Sequence, residues 1–142
     1  MIRIFLAHAS ADKEAVERLY HRLQQKGYQP WFDKVDLLPG QSWQAEILKA
    51  IKDSDIFIAC LSQQSVSKEG YFQREFRMAL NEMANKPPGQ IYLIPLRLED
   101  CPIPELRQEE CGIRLTDYQW VNLFEPDGFE RLARAIESHS TP

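Results

Sequence analysis

Strand-like and helix-like apolar patterns alternate along nearly the whole chain. The first apolar run, IRIFLA at residues 2–7, has the length of a short strand. A row with the i, i+3, i+4, i+7 spacing of an amphipathic helix follows it: Val16, Leu19, Tyr20 and Leu23. Ser10 or Asp12 is placed to cap this helix, and Gly27 is expected to end it as a C′ glycine.

Four further strands and three further helices are predicted in the rest of the chain. The strand-like segments are residues 28–32, 55–62, 91–98 and 118–123. The helical rows are Trp43, Ile47, Leu48 and Ile51; then Phe72, Phe76, Ala79, Leu80 and Met83; and last Phe129, Leu132, Ala133 and Ile136. Pro30 suggests an edge strand, and Pro95 predicts a bulge or a missing ladder bond. Residues 99–116 are expected to be irregular.

This order of elements predicts an α/β fold. Strands that alternate with helices form a parallel sheet with right-handed crossovers. Five strands at this length favour a flavodoxin-like sheet of order 2-1-3-4-5, flanked by helices. The nearly continuous apolar run at 55–62 belongs at its centre, with Cys60 buried and unreactive. Residues 1–137 form one predicted domain, and residues 138–142 a tail or the start of a linker.

The carboxyl ends of the strands are where such a sheet binds ligands. The loops that open there are residues 8–11, 32–42 and 62–70. The second loop is unusual because Leu37 and Leu38 precede Pro39 and Gly40 in a connection that the fold alone has no need to bury. These apolar residues therefore pack on their own chain, or await a ligand or a partner.

Composition narrows the classes of function. A net charge of −4 gives no electrostatic case for nucleic acid or an anionic membrane, and no apolar run has the length of a membrane span. Cys60, Cys101 and Cys111 are odd in number and lack CxxC spacing, which argues against disulfides and zinc and favours a cytoplasmic protein. Dispersed histidines make a metal site a weak hypothesis, so no cofactor or metal is predicted.

Phosphate-binding glycine motifs and the GxSxG elbow are absent. The remaining candidates for chemistry are His8 and the pair Tyr71 and Glu75. His8 follows the first strand, although a solvated loop histidine fits the same position. On the predicted helix at 71–83, Tyr71 and Glu75 lie one turn apart at the border between core and solvent. Their helix begins beside the predicted crevice, where a carboxylate and an aromatic ring could hold a ribose or a cation. The pattern alone favours a surface glutamate paired with Arg74 or another neighbour.

Four segments, in the same order along the chain as in the family, resemble a bacterial Toll/interleukin-1 receptor (TIR) domain of the NAD-cleaving type. They are IFLAHASADKE, GYQPWFDKVDLLPGQSWQAEI, AIKDSDIFIACLS and YFQREFRMAL, within a similarity that covers about residues 2–136. The resemblance implies the flavodoxin-like TIR fold. It also identifies the 32–42 segment with the family's BB loop, which contacts neighbouring protomers and borders the ligand pocket.

The resemblance also implies an activity and a set of site residues. Many relatives cleave NAD+ at the nicotinamide–ribose bond, releasing nicotinamide and ADP-ribose or a cyclic ADP-ribose isomer, and their catalytic glutamate matches Glu75. The implied substrate-binding residues are His8, Ala9, Ser10, Asp33, Leu38, Trp43 and Tyr71. Some relatives have arginines where this chain has Ala9 and Ser10, and a polar residue where it has Leu38.

The expected function is therefore an NAD+ hydrolase or cyclase in antiphage (antiviral) defence signalling. NAD+ is its substrate rather than a cofactor. Homotypic TIR–TIR self-association through Leu37, Leu38, Pro39 and Gly40 is expected, and an appended effector or sensor domain is compatible with it. The alternatives are a non-enzymatic TIR–TIR scaffold or adaptor module and, behind both, a nucleotide-sensing domain without turnover. Glu75 with an aromatic residue at position 71 favours the enzyme, because a scaffold has no need of that carboxylate.

Overall fold

A computed structural model describes residues 2–31, 39–40, 43–63, 81, 92–103 and 118–139 of the chain. Its strands are β1 (Arg3–Ala7), β2 (Gln29–Trp31), β3 (Ile56–Leu61), β4 (Leu93–Arg97) and β5 (Val121–Asn122). Its helices are α1 (Lys13–Gln25), α2 (Trp43–Asp53) and α3 (Gly128–His139), and one 3-10 turn (Ser10–Asp12) leads into α1. Apart from residue 81, the helix predicted at 71–83 lies outside the described residues, as does most of the segment 99–116.

The five strands form one parallel sheet in the order β2-β1-β3-β4-β5, as predicted. All six residues of β3 are buried, so the continuous apolar run of this strand corresponds to a central position covered on both faces. Cys60 is fully buried within it, which confirms the predicted location of this residue. The α/β architecture therefore follows from the order of the elements.

The two faces of the sheet have different cores. Ile4, Leu6 and Ile58 face the α1 and α3 side, where they pack with residues such as Leu19 and Leu132. The opposite face carries an aromatic row from the edge strand to the residue before β4. Its successive ring centroids lie 5.2, 5.2 and 6.4 Å apart, in the order Trp31, Phe5, Phe57 and Tyr92.

Both strand prolines are explained by the positions of their missing N–H groups. Pro30 lies in β2, which is an edge strand as predicted. Pro95 pairs with Ala59 in an uninterrupted register, so the strand has no bulge there. The Leu98 N–H donates to Leu61 of β3, and alternation along the strand turns the nitrogen of Pro95 toward the β5 side. Since β5 pairs only with Leu96 and Arg97, the missing donor faces no ladder position.

The end of α1 is a Schellman motif. Gly27 has φ +91° and donates its N–H to the Gln24 carbonyl, while the Tyr28 N–H donates to the Leu23 carbonyl. The predicted C′ role of Gly27 is confirmed.

The last helix departs slightly from the prediction. α3 continues through His139, two residues into the segment 138–142 predicted as a tail. The Ser138 hydroxyl donates to the Ala135 carbonyl at 2.8 Å, which occupies a carbonyl of the last turn. Of the predicted row, Leu132, Ala133 and Ile136 are buried, and Phe129 is half-buried against the same core.

Candidate functional site

The turn after β1 lies at the carboxyl edge of the sheet. Ala7 pairs with Ala59 of the central strand, and His8 and Ala9 follow directly. His8 is half-buried, and its Nδ1 lies 3.3 Å from the Leu6 carbonyl oxygen, a hydrogen bond when Nδ1 carries the proton. Ala9 is buried, and its small side chain packs in the core beneath this edge. Ser10 begins the 3-10 turn.

A hydrogen bond joins this turn to the end of β3. The Ser62 hydroxyl donates to Asp12 Oδ2 at 2.7 Å, across 50 residues of sequence. Ser62 is the first residue after β3 and is buried, with 1% of its surface exposed. The next residue, Gln63, is held from the other side: its N–H donates to Glu99 Oε2 at 3.2 Å and its side-chain amide to the Asp100 carbonyl at 3.1 Å.

The polar contacts continue to the last strand through Arg97. Its Nε donates to Asn122 Oδ1 at 2.7 Å, and its Nη1 donates to Asp100 Oδ1 at 3.1 Å and to the Cys101 carbonyl at 3.0 Å. The Asn122 amide in turn donates to Glu125 Oε1 at 2.6 Å. Sequence reasoning missed this network, although its signal was present as polar residues at the ends of successive parallel strands.

The predicted capping role of Asp12 is wrong. Asp12 occupies the N-cap position of α1, yet its side chain makes no capping hydrogen bond to the helix. Its carboxylate accepts from Ser62 instead, a tertiary contact that local sequence cannot reveal. The other candidate cap, Ser10, lies within the preceding 3-10 turn, two residues before the N-cap position.

The remaining predicted site residues are only partly described. Asp33, Leu37, Leu38, Tyr71 and Glu75 lie outside the described residues. Trp43 is the first residue of α2, but its side chain, like that of Ser10, is not part of the description. Pro39 and Gly40 form an exposed turn in which Gly40 has φ +89°, a conformation suited to glycine. The structure thus brings together the β1 turn and the end of β3, and the roles of all these site residues stay predictions.

The Cys60 thiol lies beneath this edge. Burial, and secondarily the Asp12 carboxylate, raise the pKa of Cys60 well above its ordinary value. A neutral, fully buried thiol has no nucleophilic role. Among the described residues, no group of three histidine, cysteine, aspartate or glutamate side chains is arranged to hold a metal ion.

A pocket of about 470 Å³ lies at the opposite end of the strands. Its lining includes Arg3 and Gln29, which begin β1 and β2, and Ser54, which precedes β3. Because parallel α/β sheets bind ligands at the carboxyl ends of their strands, this amino-end pocket is not the candidate site. None of the helices in the described part of the chain is long and apolar enough to cross a bilayer.

Comparison with known proteins identifies the family. A family model described as the TIR domain matches residues 4–135, nearly the whole chain, and the sheet order is that of the predicted TIR fold. The chain belongs to the TIR domain family. Among solved structures, the TIR domain of the Toll-related receptor TRR-2 from Hydra magnipapillata superposes with a TM-score of 0.73, covering 94% of this chain and 97% of that one. At 19% identity, this likeness shows the fold alone.

Two curated relatives match this TIR domain over part of their length. It is 38% identical over 80 residues to the NAD(+) hydrolase PdTIR of Paracoccus denitrificans, which covers 51% of this chain and 27% of that protein. It is 32% identical over 97 residues to the uncharacterized protein y4cD of Sinorhizobium fredii, covering 68% of this chain and 15% of that protein. The matches thus span about a quarter or less of these relatives.

Proposed function

We propose that this TIR domain cleaves the nicotinamide–ribose bond of NAD+, with Glu75 as the catalytic carboxylate. The observation that carries the proposal is the 38% identity to an NAD(+) hydrolase within a chain of the TIR family. The substrate would lie at the carboxyl edge of the sheet, between the turn after β1 and the segment that follows β3. His8, Ala9 and Ser10 would contact it from the first side, and Tyr71 and Glu75 from the second.

One carboxylate is sufficient for this reaction. A glycosidase that expels an alkoxide needs a second carboxyl group to protonate the leaving oxygen. Nicotinamide leaves NAD+ as a neutral molecule, so the remaining task is to stabilise the oxocarbenium-like ribose and orient its hydroxyls. A carboxylate about 4 Å from a unit positive charge is worth about 4 kcal/mol at an effective dielectric of about 20. This corresponds to about 10³ in rate.

We also propose further substrate contacts, the reaction products and a role in the cell. Asp33, Leu38 and Trp43 would border the pocket from the segment 32–43. Nicotinamide and ADP-ribose or a cyclic isomer would be released, and the activity would serve antiphage defence signalling in the cytoplasm. We further propose that Leu37, Leu38, Pro39 and Gly40 mediate self-association, so that the pocket is completed by a neighbouring TIR domain.

The test is a product analysis. The purified domain is incubated with NAD+, and the products are separated chromatographically. Release of nicotinamide together with ADP-ribose, or with a compound of the mass of a cyclic isomer, supports the proposal. The alternative is a non-enzymatic TIR–TIR scaffold. Self-association without any nicotinamide release, at protein concentrations where the domain is fully assembled, would establish the scaffold and overturn the enzyme.

A further inference from the structure

A partly buried hydrogen bond joins two segments whose relative position matters to the proposed active site. Asp12 ends the turn that carries His8, Ala9 and Ser10, and its Oδ2 accepts the Ser62 hydroxyl at 2.7 Å. This carboxylate is at the N-cap position of α1, where an aspartate ordinarily accepts from the first helical N–H groups. It makes no such bond here. When a side chain at a capping position makes a tertiary hydrogen bond instead of a cap, the tertiary contact is a candidate for a functional role.

Ser62 is the first residue of the segment that runs from β3 to Glu75. It directly follows the central strand and is 1% exposed, so its hydroxyl has little access to water. Gln63 is tied to Glu99 and Asp100 of the loop after β4. The start of this segment is therefore fixed from the β1 side and from the β4 side.

We propose that Asp12 and Ser62 are positioning residues of the active site. Their hydrogen bond holds the β1 turn against the start of the segment that runs from β3 to Glu75. The proposal rests on the proposed NAD+ cleavage, and neither residue is required to touch the substrate. Cleavage would need the substrate, contacted by the β1 turn, to lie at a fixed distance from a carboxylate on another segment. Small displacements in such an arrangement reduce the rate of the chemical step strongly.

The chain offers a matched pair of variants at the two ends of β3. Ser54 and Ser62 are both buried serines with a hydrogen bond to a neighbouring oxygen, but Ser54 lies before the strand, at the amino edge, and donates to the Ala50 carbonyl. Ser62→Ala should lower kcat by about tenfold, the factor that corresponds to the loss of a typical hydrogen bond, with KM changed less than about twofold. Ser54→Ala should leave both constants within about twofold of the unmodified domain.

Variants of Asp12, the partner of Ser62, test whether activity is rescued when the hydrogen bond is kept and whether the two residues act through the same contact. Asp12→Asn retains an oxygen that can accept from Ser62 and should keep most of the activity, whereas Asp12→Ala should lower kcat as Ser62→Ala does. The Asp12→Ala/Ser62→Ala double variant should be no slower than either single variant, because all three lack the same contact. Glu14→Gln, an exposed charge-removing change in the first turn of α1, is the control for the lost negative charge.

Hydrogen exchange tests the contact independently of turnover. The Asp12 N–H donates to the Ala9 carbonyl at 2.9 Å and closes the turn, so its exchange rate reports on whether the turn is held. Ser62→Ala should speed exchange at residues 10–12 by about tenfold, and Ser54→Ala should not. A normal kcat in Ser62→Ala, or the same loss in Ser54→Ala, would overturn the positioning role.

The two proposals fail in distinguishable ways. If the unmodified domain releases no nicotinamide, the proposed function fails, and positioning for that reaction fails with it, while exchange still decides whether the contact holds the two segments. Should Ser62→Ala not fold, the Asp12→Asn and Asp12→Ala pair carries the test. Equal loss of activity in these two variants would count against the hydrogen bond.

Discussion

The chemistry of a single residue in this domain depends more on its position relative to the sheet than on its residue type. Asp12 has the sequence context of a helix cap, yet its carboxylate bonds to Ser62. Cys60 has the chemistry of a nucleophile, yet it is fully buried in the central strand. Residue type alone therefore names candidates, and the surroundings of each side chain decide its chemistry.

The chemistry expected of Cys60 follows from that burial. Since burial and the Asp12 carboxylate raise the pKa of the Cys60 thiol, almost none of it is thiolate at pH 8, and alkylating reagents react with thiolates. Native domain treated with iodoacetamide at pH 8 should leave Cys60 unmodified in a peptide map, while denatured domain should be fully modified there. Alkylation of Cys60 in the folded domain at the rate of a free thiol would contradict this assignment.

At the scale of elements, the sequence predicts the interiors of helices and strands better than their ends, although Gly27 correctly marks the end of α1. The row of Val16, Leu19, Tyr20 and Leu23 is buried as predicted, because a 3.6-residue period leaves one face for the core. The start of α1 and the end of α3 were predicted less well, because helix ends depend on single contacts. Contacts across the carboxyl edge join residues about 25 to 50 positions apart, and their partners depend on strand register, which local patterns do not contain.

The backbone of Gly128 lies so close to the end of β5 that a larger residue there should destabilise the domain measurably. A Cβ on Gly128, the first residue of α3, would collide with the Asn122 carbonyl oxygen and with the Leu123 backbone. Because backbone atoms cannot move aside cheaply, Gly128→Ala should lower the free energy of unfolding by about 1–3 kcal/mol. Urea denaturation measures this, with Glu130→Ala on the exposed face of the same helix as the control. Equal stability of the two variants would show that the β5–α3 turn relaxes freely.

At the scale of the whole molecule, the TIR fold was predicted from the order of elements together with four sequence motifs. The sheet order and the family match confirm that fold. The site is known less completely: His8 and Ala9 lie at the carboxyl edge, whereas Glu75 and Leu38 lie outside the described residues. We propose that the site is completed by a second copy through the apolar loop residues Leu37 and Leu38, because apolar side chains in such a connection often mark contact sites.

Self-association predicts an activity that depends on protein concentration. If the pocket is completed by a neighbour, specific activity should rise with concentration or crowding, since association follows mass action. Replacing Leu37 and Leu38 with serine should lower activity and self-association together, with little change in melting temperature. Gln25→Ser, an exposed change at the end of α1, is the control for surface substitution. Flat specific activity from nanomolar to high micromolar protein, in a sample that stays monomeric by light scattering, would contradict this proposal.

The most direct test of the central claim is nicotinamide release by the unmodified domain and by Glu75→Gln under the same assembled conditions. Glutamine has nearly the shape of glutamate but no charge to stabilise an oxocarbenium-like ribose. We predict that release falls by about 10³-fold, while the melting temperature and self-association stay nearly unchanged. Glu130→Gln, exposed on α3, should retain full activity. Wild-type turnover by Glu75→Gln would contradict the catalytic assignment.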